Sequence, residues 1–396
     1  MDNSRDTIIT GIGLLTSLGE GAETHLARFV SGDVPVTDFK TYPTFLIHPL
    51  GPVDFDKQIP KKGDQRQMEP WQRIGTYTAG LALTDAGVAG NKEVLQRMDM
   101  IVAAAGGERD INVDASISGE LRTANNPGAK LNERLQTELR PTLFLAQLSN
   151  LLAGNISIVH GVTGSSRTFM GEESSGIEAV RVATARIGAG TSDIALVGGA
   201  YNAARPDMIA LWEYAGLNYR DEFKPVFASD RKPGMATASG GAFLVLESRA
   251  HAEARGAKMI AKISLVKSAR AKRANAGAVS QSIGSLIDEA KAKAPSPAAI
   301  FSTASGVEPA TGEEAKALQA AQLPVRAVAS RIGHLFEPSF PFGLAFGALA
   351  VQSGKLPKAF DGVALEASGA DGVKSVIVST VGHWSGEGVG IVEAAG

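Results

Sequence analysis

The sequence contains no cysteine among its 396 residues. This absence excludes disulfide bonds, thiolate metal sites, iron–sulfur clusters and any cysteine nucleophile. A basic excess is also missing, because 39 Lys and Arg stand against 41 Asp and Glu, and this argues against a nucleic-acid partner. No apolar run approaches the roughly 18 residues that span a bilayer, and the start lacks the basic and apolar regions of a secretion signal. We therefore expect a cytoplasmic protein without an integral membrane segment.

What the chain does contain is a regular alternation of apolar strands and helices. Hydrophobic residues make up 44% of the chain, and many of its 45 glycines follow short apolar runs such as Met100–Gly107 and Val376–Gly382. That pattern is typical of buried strands that turn sharply into helices. The segment Ser174–Ile187 places apolar residues at helical spacing. Together these features predict the α/β class with mostly parallel strands.

Two stretches of the chain resemble each other. Ser192–Ala200 and Lys374–Gly382 are both apolar strands that end at a turn of small residues. The pair predicts two similar halves, with an N-terminal half at residues 1–250, including inserted loops, and a C-terminal half at residues 251–396.

Local motifs for cofactors and metals are missing. No Walker A sequence or G-x-S-x-G elbow occurs, and the late glycine-rich run at Gly382–Gly390 leaves no room for a dinucleotide-binding unit before the chain ends. None of the six histidines forms an H-x-H or H-x-x-x-H pair. We expect neither a cofactor nor a metal ion.

The run GEESSG at Gly171–Gly176 puts two acidic residues at the start of a predicted helix. Glu172 and Glu173 lie where unpaired backbone N–H groups favour negative charge. One interpretation is acidic capping of the helix, and the other is a functional position on a strand-to-helix turn.

In the order of its segments, the chain resembles a type II β-ketoacyl-acyl-carrier-protein synthase of the thiolase superfamily. The likeness covers nearly the whole sequence, through the runs IITGIGLLTSLG, NLLAGNISIVHGVTGSS, SDIALVGGA, RIGHL and GHWSGEGVGIV. It implies a thiolase-like fold, in which two similar α/β halves each contain a mixed five-stranded sheet with layered helices.

The resemblance also indicates which catalytic groups are replaced. Glu173 stands at the position of the family's nucleophilic cysteine, and Ser305 at that of its first histidine. Ala329 replaces the family's lysine, whereas His334 retains the second histidine. The catalytic set of the family is therefore incomplete, and no residue is assigned with certainty to catalysis.

Other family positions concern the acyl tunnel, the gate and the interface. His383 and Trp384 stand in the segment that matches the family's glycine-rich gating loop, and Trp384 is expected to plug the former acyl entrance. Phe169 and Met170 would lie near the path of an acyl chain, although packing explains them more simply. By resemblance, the segment 165–170 would also lie at a dimer interface.

Two basic clusters could dock an acidic acyl carrier protein, although each could equally be a solvated basic surface. The first cluster comprises Lys61, Lys62 and Arg66, and the second comprises Lys267, Arg270, Lys272 and Arg273.

The run GEESSGIEA resembles chain-length factors, which are non-catalytic partners of ketosynthases. It predicts a subunit of fatty acid or polyketide elongation that works with acyl carrier protein and pairs with an active ketosynthase. One alternative is an active 3-oxoacyl-acyl-carrier-protein synthase or acyltransferase with atypical residues, in which Ser166, Ser174 or Glu173 acts and His334 is the base. Another is a homodimer that binds acyl chains or acyl carrier protein.

Overall fold

The computed structural model describes residues 3–138, 145, 147–367, 369 and 371–396. Its strands are β1 (Thr7–Thr16), β2 (Gly19–Glu20), β3 (Ile47–His48), β4 (Asp99–Ala104), β5 (Ser166–Met170), β6 (Ile194–Tyr201), β7 (Thr237–Ala238), β8 (Gly240–Ser248), β9 (Ala261–Ala269), β10 (Ile300–Ser302), β11 (Val325–Ala327), β12 (Ser375–Val381) and β13 (Glu387–Glu393).

The helices of the described residues are α1 (Ala22–Ser31), α2 (Lys62–Gln67), α3 (Pro70–Asp85), α4 (Lys92–Arg97), α5 (Ile111–Leu121), α6 (Pro127–Glu138), α7 (Leu151–His160), α8 (Glu173–Gly188), α9 (Pro206–Tyr214), α10 (Arg249–Ala254), α11 (Ala278–Lys293), α12 (Ala310–Ala321), α13 (Ala329–Ile332) and α14 (Ser339–Ser353). A short 3-10 helix spans Phe55–Lys57.

The sheet has the order β11-β10-β12-β13-β9-β1-β8-β6-β4-β5, and β2 pairs with β1. Each half contributes five strands to this order, with parallel and antiparallel pairs in both, which confirms the predicted mixed sheets. The two sets meet where β1 pairs with β9, from Thr7 opposite Ile263 to Ile9 opposite Ala261. This short contact joins the two predicted sheets edge to edge. The boundary after residue 250 stays a prediction.

Helices α8 and α14 form the central layer and contact strands from both sets. Helix α14 carries no charged residue and is buried along most of its length, as expected for a helix surrounded by protein. Helix α8 buries the face that the apolar spacing predicts, which includes Ile177, Val180, Ala183 and Ile187. Helices α3 and α7 cover one outer side, and α11 and α12 cover the other. None of the described helices is both long and apolar enough to cross a membrane. The cytoplasmic location stays a prediction.

A buried ion pair ties β8 to the segment that leads into the second half. Glu247 is fully buried and accepts hydrogen bonds from Arg255, from Thr10 and from His251 at 2.6 Å. Burial raises the pKa of Glu247, but the hydrogen bonds from Arg255 and His251 outweigh it and lower that pKa to about 2. The carboxylate is therefore charged in the folded protein throughout the neutral range.

We expect Arg255→Ala to lower the free energy of unfolding by about 3 kcal/mol, because it leaves Glu247 buried without its main cation. Urea denaturation at pH 7 measures this loss. The exposed neighbour Glu253 forms only a long ion pair, at 3.9 Å from Arg249, so Glu253→Ala is a control with a much smaller effect. Equal stabilities of the two variants would contradict the prediction.

Candidate active site

Residue 173 lies where strand β5 turns into helix α8. The strand ends at Met170, and the helix begins at Glu173, which is fully buried. Ser175 closes the turn by donating its hydroxyl to the carbonyl oxygens of Gly171 and Glu172. The backbone N–H groups and dipole at a helix start favour an anion. The expected helix start is confirmed, and its carboxylate points into the interior of the protein.

His334 reaches Glu173 from the turn after α13. Its Nε2 lies 2.8 Å from Glu173 Oε1. The backbone of His334 is fixed on both sides, since its N–H donates to the Ala236 carbonyl and its carbonyl accepts from the Ala238 N–H. Gly333 has φ 78°, and a Cβ there would lie 2.4 Å from the His48 ring. Glycine is therefore required for the close approach that presents His334.

His383 reaches the same carboxylate from the turn between β12 and β13. Its Nδ1 lies 2.9 Å from Glu173 Oε1, and its backbone N–H donates to the same oxygen at 3.3 Å. The turn packs directly on the start of α8, because a Cβ on Gly386, at φ 86°, would lie 2.6 Å from Ser174 Cβ. The structure thus unites Glu173, His334 and His383 in one buried cluster.

The charges in this cluster are coupled. Burial raises the pKa of Glu173, but the positive charge of His383 and hydrogen bonds from both histidines outweigh it, and that pKa lies well below its usual range. Burial lowers the pKa of His383, whereas Glu173 more than compensates and raises it. The charged forms of Glu173 and His383 therefore stabilise each other.

Two further carboxyl groups lie beside the cluster. Glu172 Oε2 is 3.6 Å from His383 Nε2, and Glu337 is buried close enough to interact with the charges of Glu173 and Glu172. Burial, together with the negative charges of Glu173 and Glu172, raises the pKa of Glu337 to about 8. Burial is also the main cause of a raised pKa at Glu172. Glu337 is thus largely protonated at neutral pH.

A cleft of about 530 Å³ opens above this cluster. Its lining includes Met170, Glu172, Trp212, Arg270, Phe336, Glu337 and Trp384. Trp384 is 73% exposed and Met170 is 68% exposed, so both side chains lie at the rim. The role of Trp384 as a plug and the role of Met170 stay predictions. Phe169, in contrast, packs against the main core.

The residues predicted to stand at the positions of the family's first histidine and lysine lie away from this cleft. Ser305 and Ala329 line a small cavity together with His48 and Arg231. Ser305 is buried, and its Oγ accepts a hydrogen bond from the Val307 N–H at 3.2 Å. Within the described residues, neither position contributes to the cleft above Glu173.

The two basic clusters differ in how many of their side chains are exposed and in which of them form ion pairs. Lys61, Lys62 and Arg66 are exposed on or beside α2, and Lys62 pairs with Asp56. In the second cluster, Arg270 and Lys272 are exposed, and Arg270 also lines the cleft. Lys267 instead pairs with Glu289 at 2.7 Å.

Arg273 has a structural position that the sequence did not indicate. It donates hydrogen bonds to the carbonyl oxygens of Gly382, Trp384 and Gly386, and it pairs with Glu387 at 2.7 Å. Arg273 therefore holds the turn that carries His383.

We expect Arg273→Ala to speed amide exchange across residues 382–386 by about tenfold or more, because the turn loses several hydrogen bonds to a charged group. Hydrogen–deuterium exchange with peptide-level mass analysis measures this change. The variant Lys272→Ala, at an exposed neighbour, serves as the matched control. Unchanged exchange in Arg273→Ala would show that other contacts hold the turn.

Sequence reasoning missed the contact of His383 with Glu173 and the presence of Glu337. His383 was assigned to the gate, and its distance of 210 positions from Glu173 gives no local signal. One general rule could nevertheless have indicated this contact. A buried carboxylate such as that of Glu173 needs hydrogen-bond partners, and His383 closely follows a buried strand. Glu337 lies three residues after His334 and carried no motif of its own.

Comparisons with known proteins agree with this architecture. Residues 5–252 match the family model of the β-ketoacyl synthase N-terminal domain. Among curated proteins, 3-oxoacyl-acyl-carrier-protein synthase 2 of Vibrio cholerae is 26% identical over 270 residues, which cover 66% of this chain and 62% of that protein. The match thus spans less than two thirds of that relative's length.

Two solved structures share the fold over almost the whole chain. The ishigamide ketosynthase/chain length factor has a TM-score of 0.79 at 21% identity, covering 99% of this chain and all of that one. A type II PKS acyl-carrier protein in complex with its ketosynthase bound to the hexaketide has a TM-score of 0.75 at 17% identity, with the same coverage of both chains. With its thiolase-like fold and the family match over more than half of its length, this chain belongs to the β-ketoacyl synthase family.

Proposed function

We propose that this chain is a non-catalytic subunit of fatty acid or polyketide elongation, which pairs with an active ketosynthase and works with acyl carrier protein. One observation carries the proposal. At the position that resembles the family's nucleophile, Glu173 is a buried carboxylate to which both nearby imidazoles are hydrogen-bonded.

The chemistry of condensation explains why this arrangement matters. Condensation needs a thiolate to hold the acyl chain as a thioester, and hydrogen-bond donors to stabilise the enolate formed by decarboxylation. Attack by the Glu173 carboxylate would give an anhydride in place of a thioester. His334 and His383 direct their ring nitrogens at Glu173, so those nitrogens are not free to hold an enolate oxygen.

An active transferase with a serine nucleophile has less support. Ser174 lines the cleft and Ser166 is exposed on β5. Serine needs a base within hydrogen-bond reach. The ring nitrogen of His334 that faces this region contacts Glu173 at 2.8 Å and is therefore already used.

Partner binding is supported by the exposed edge of the sheet. Strand β5 ends the strand order, and within the described residues it pairs with β4 alone. An unpaired edge is a ready template for another chain. The solved relatives include a ketosynthase/chain length factor and an acyl-carrier protein in complex with its ketosynthase. Arg270 is exposed and lines the cleft, Lys272 is exposed two residues further along the chain, and both would suit an acidic carrier protein.

The proposal is tested by mixing this chain with a synthase that has an intact Cys-His-His set and is encoded beside it. We expect light scattering after size exclusion to give a 1:1 complex. We also expect the chain alone to gain no mass and release no carbon dioxide when incubated with acyl- and malonyl-carrier protein. Separate homodimers, with a fatty acid recovered by denaturing mass spectrometry, would favour the acyl-binding alternative.

A further inference from the structure

The cluster of Glu173, His334 and His383 offers one carboxylate oxygen and two imidazole nitrogens, all buried and within 4.8 Å of one another. We propose that these three side chains bind a divalent first-row transition ion. The inference goes beyond the proposed function and does not depend on it. It also departs from the expectation of no metal, which considered only local histidine spacing.

The distances in the cluster suit such an ion. Glu173 Oε1 lies 2.8 Å from His334 Nε2 and 2.9 Å from His383 Nδ1. Neighbouring ligands at about 2.1 Å from a six-coordinate ion are about 3.0 Å apart, whereas a tetrahedral arrangement needs about 3.4 Å. These two separations are therefore closer to the octahedral value than to the tetrahedral one. Two histidines and one carboxylate are also the set that binds such ions on one face and leaves positions open.

The surroundings provide a second, independent indication of a cation. Glu337 is 1% exposed and lines the cleft, and its Oε2 has no hydrogen-bond partner within the described residues. Glu172 also lines the cleft, so three carboxyl groups surround two imidazoles. A water bound to an ion at the cluster would give the buried Glu337 oxygen the hydrogen-bond partner that it lacks among the described residues.

One feature limits the affinity. His334 Nδ1 has no hydrogen-bond partner within the described residues. Metal-binding histidines usually donate their second N–H to a carboxylate or carbonyl, and the loss of such support typically weakens binding by about 10–100-fold. We therefore expect a dissociation constant on the order of micromolar.

The test uses the full chain, stripped with a chelator and titrated with Co²⁺, which reports its coordination through visible absorption. We expect one Co²⁺ per chain by elemental analysis after equilibrium dialysis, with the weak bands of a six-coordinate ion.

Two variants test the proposed metal ligands with substitutions that keep a polar side chain in place and so avoid leaving a large cavity. We expect His383→Asn and Glu173→Gln each to weaken Co²⁺ binding at least tenfold, since each removes a ligand but keeps hydrogen bonding. His160 lies on α7 and bonds the Thr76 carbonyl, so His160→Asn is the matched control. Substoichiometric binding by the wild-type chain would overturn the proposal. Undiminished binding by both folded variants would also overturn it, whereas complex formation with a ketosynthase reports separately on the proposed function.

Discussion

A chain that carries Glu173→Cys is expected to be alkylated by iodoacetamide at one site and to stay reactive at pH 6. Residue 173 begins helix α8 and contacts His334 and His383, and both features stabilise an anion. A thiol in such surroundings has a pKa well below that of free cysteine. Since the natural chain has no cysteine, the background is zero. Intact-mass analysis across pH 5–9 gives the rates.

The matched control is Ser174→Cys, one residue along the same helix start and on the lining of the cleft. Comparison of the two separates the effect of the histidines from that of the helix. Between pH 8 and pH 6 we expect the rate of Glu173→Cys to fall about ten times less than that of Ser174→Cys. The ratio of two rates within one variant does not depend on how exposed its thiol is, so the comparison reports the thiol pKa. If both rates instead fell tenfold for each pH unit below 8, the histidines would not lower the pKa of the thiol at residue 173.

The sequence predicted the general position of the site because that position depends on local features. Acidic residues before a helical apolar pattern indicate a helix start, and α8 does begin at Glu173. The apolar face of α8 was equally predictable, since Ile177, Val180 and Ile187 follow helical spacing. The absence of cysteine then excluded the family's usual nucleophile at this turn.

The partners of Glu173 could not be predicted in the same way. They come from turns 161 and 210 positions away, and their approach depends on tertiary packing at two glycines. The resemblance assigns His383 to the gating loop, because it compares positions in the sequence and does not show where a side chain points. A buried carboxylate at residue 173 requires hydrogen-bond donors from elsewhere in the fold. This requirement of charge balance, which the resemblance does not include, is what would have indicated His383.

The two sets of five strands show the same contrast between a feature that the sequence predicts and one that it does not. The family resemblance implied five strands in each half, and the strand order confirms this. The pairing of β1 with β9 was not predictable, because it covers only three residue pairs between distant segments. Which strands pair depends on how the central helices hold the two sets of strands. The apolar periodicity of a strand indicates which of its faces is buried, but not which distant strand lies beside it.

The Met170→Glu variant is expected to abolish stable pairing, whether the partner is a ketosynthase or a second copy of this chain. Met170 is 68% exposed on β5, the strand at the open end of the sheet and next to the turn before Glu173. In an apolar interface, an introduced carboxylate would be buried without a partner. That cost, on the order of 3 kcal/mol, raises the dissociation constant by at least about 100-fold.

Sedimentation at a fixed micromolar concentration measures the association of the wild-type and variant chains with the same partner. Val34→Glu is the matched control, because Val34 is 82% exposed and lies outside the described strands and helices. Association equal to wild type in both variants would move the interface away from β5. Because β5 leads directly into the turn that carries Glu172 and Glu173, a partner on this edge would also lie close to the cleft. Loss of pairing only in Met170→Glu would therefore link the interface to the cluster of Glu173, His334 and His383.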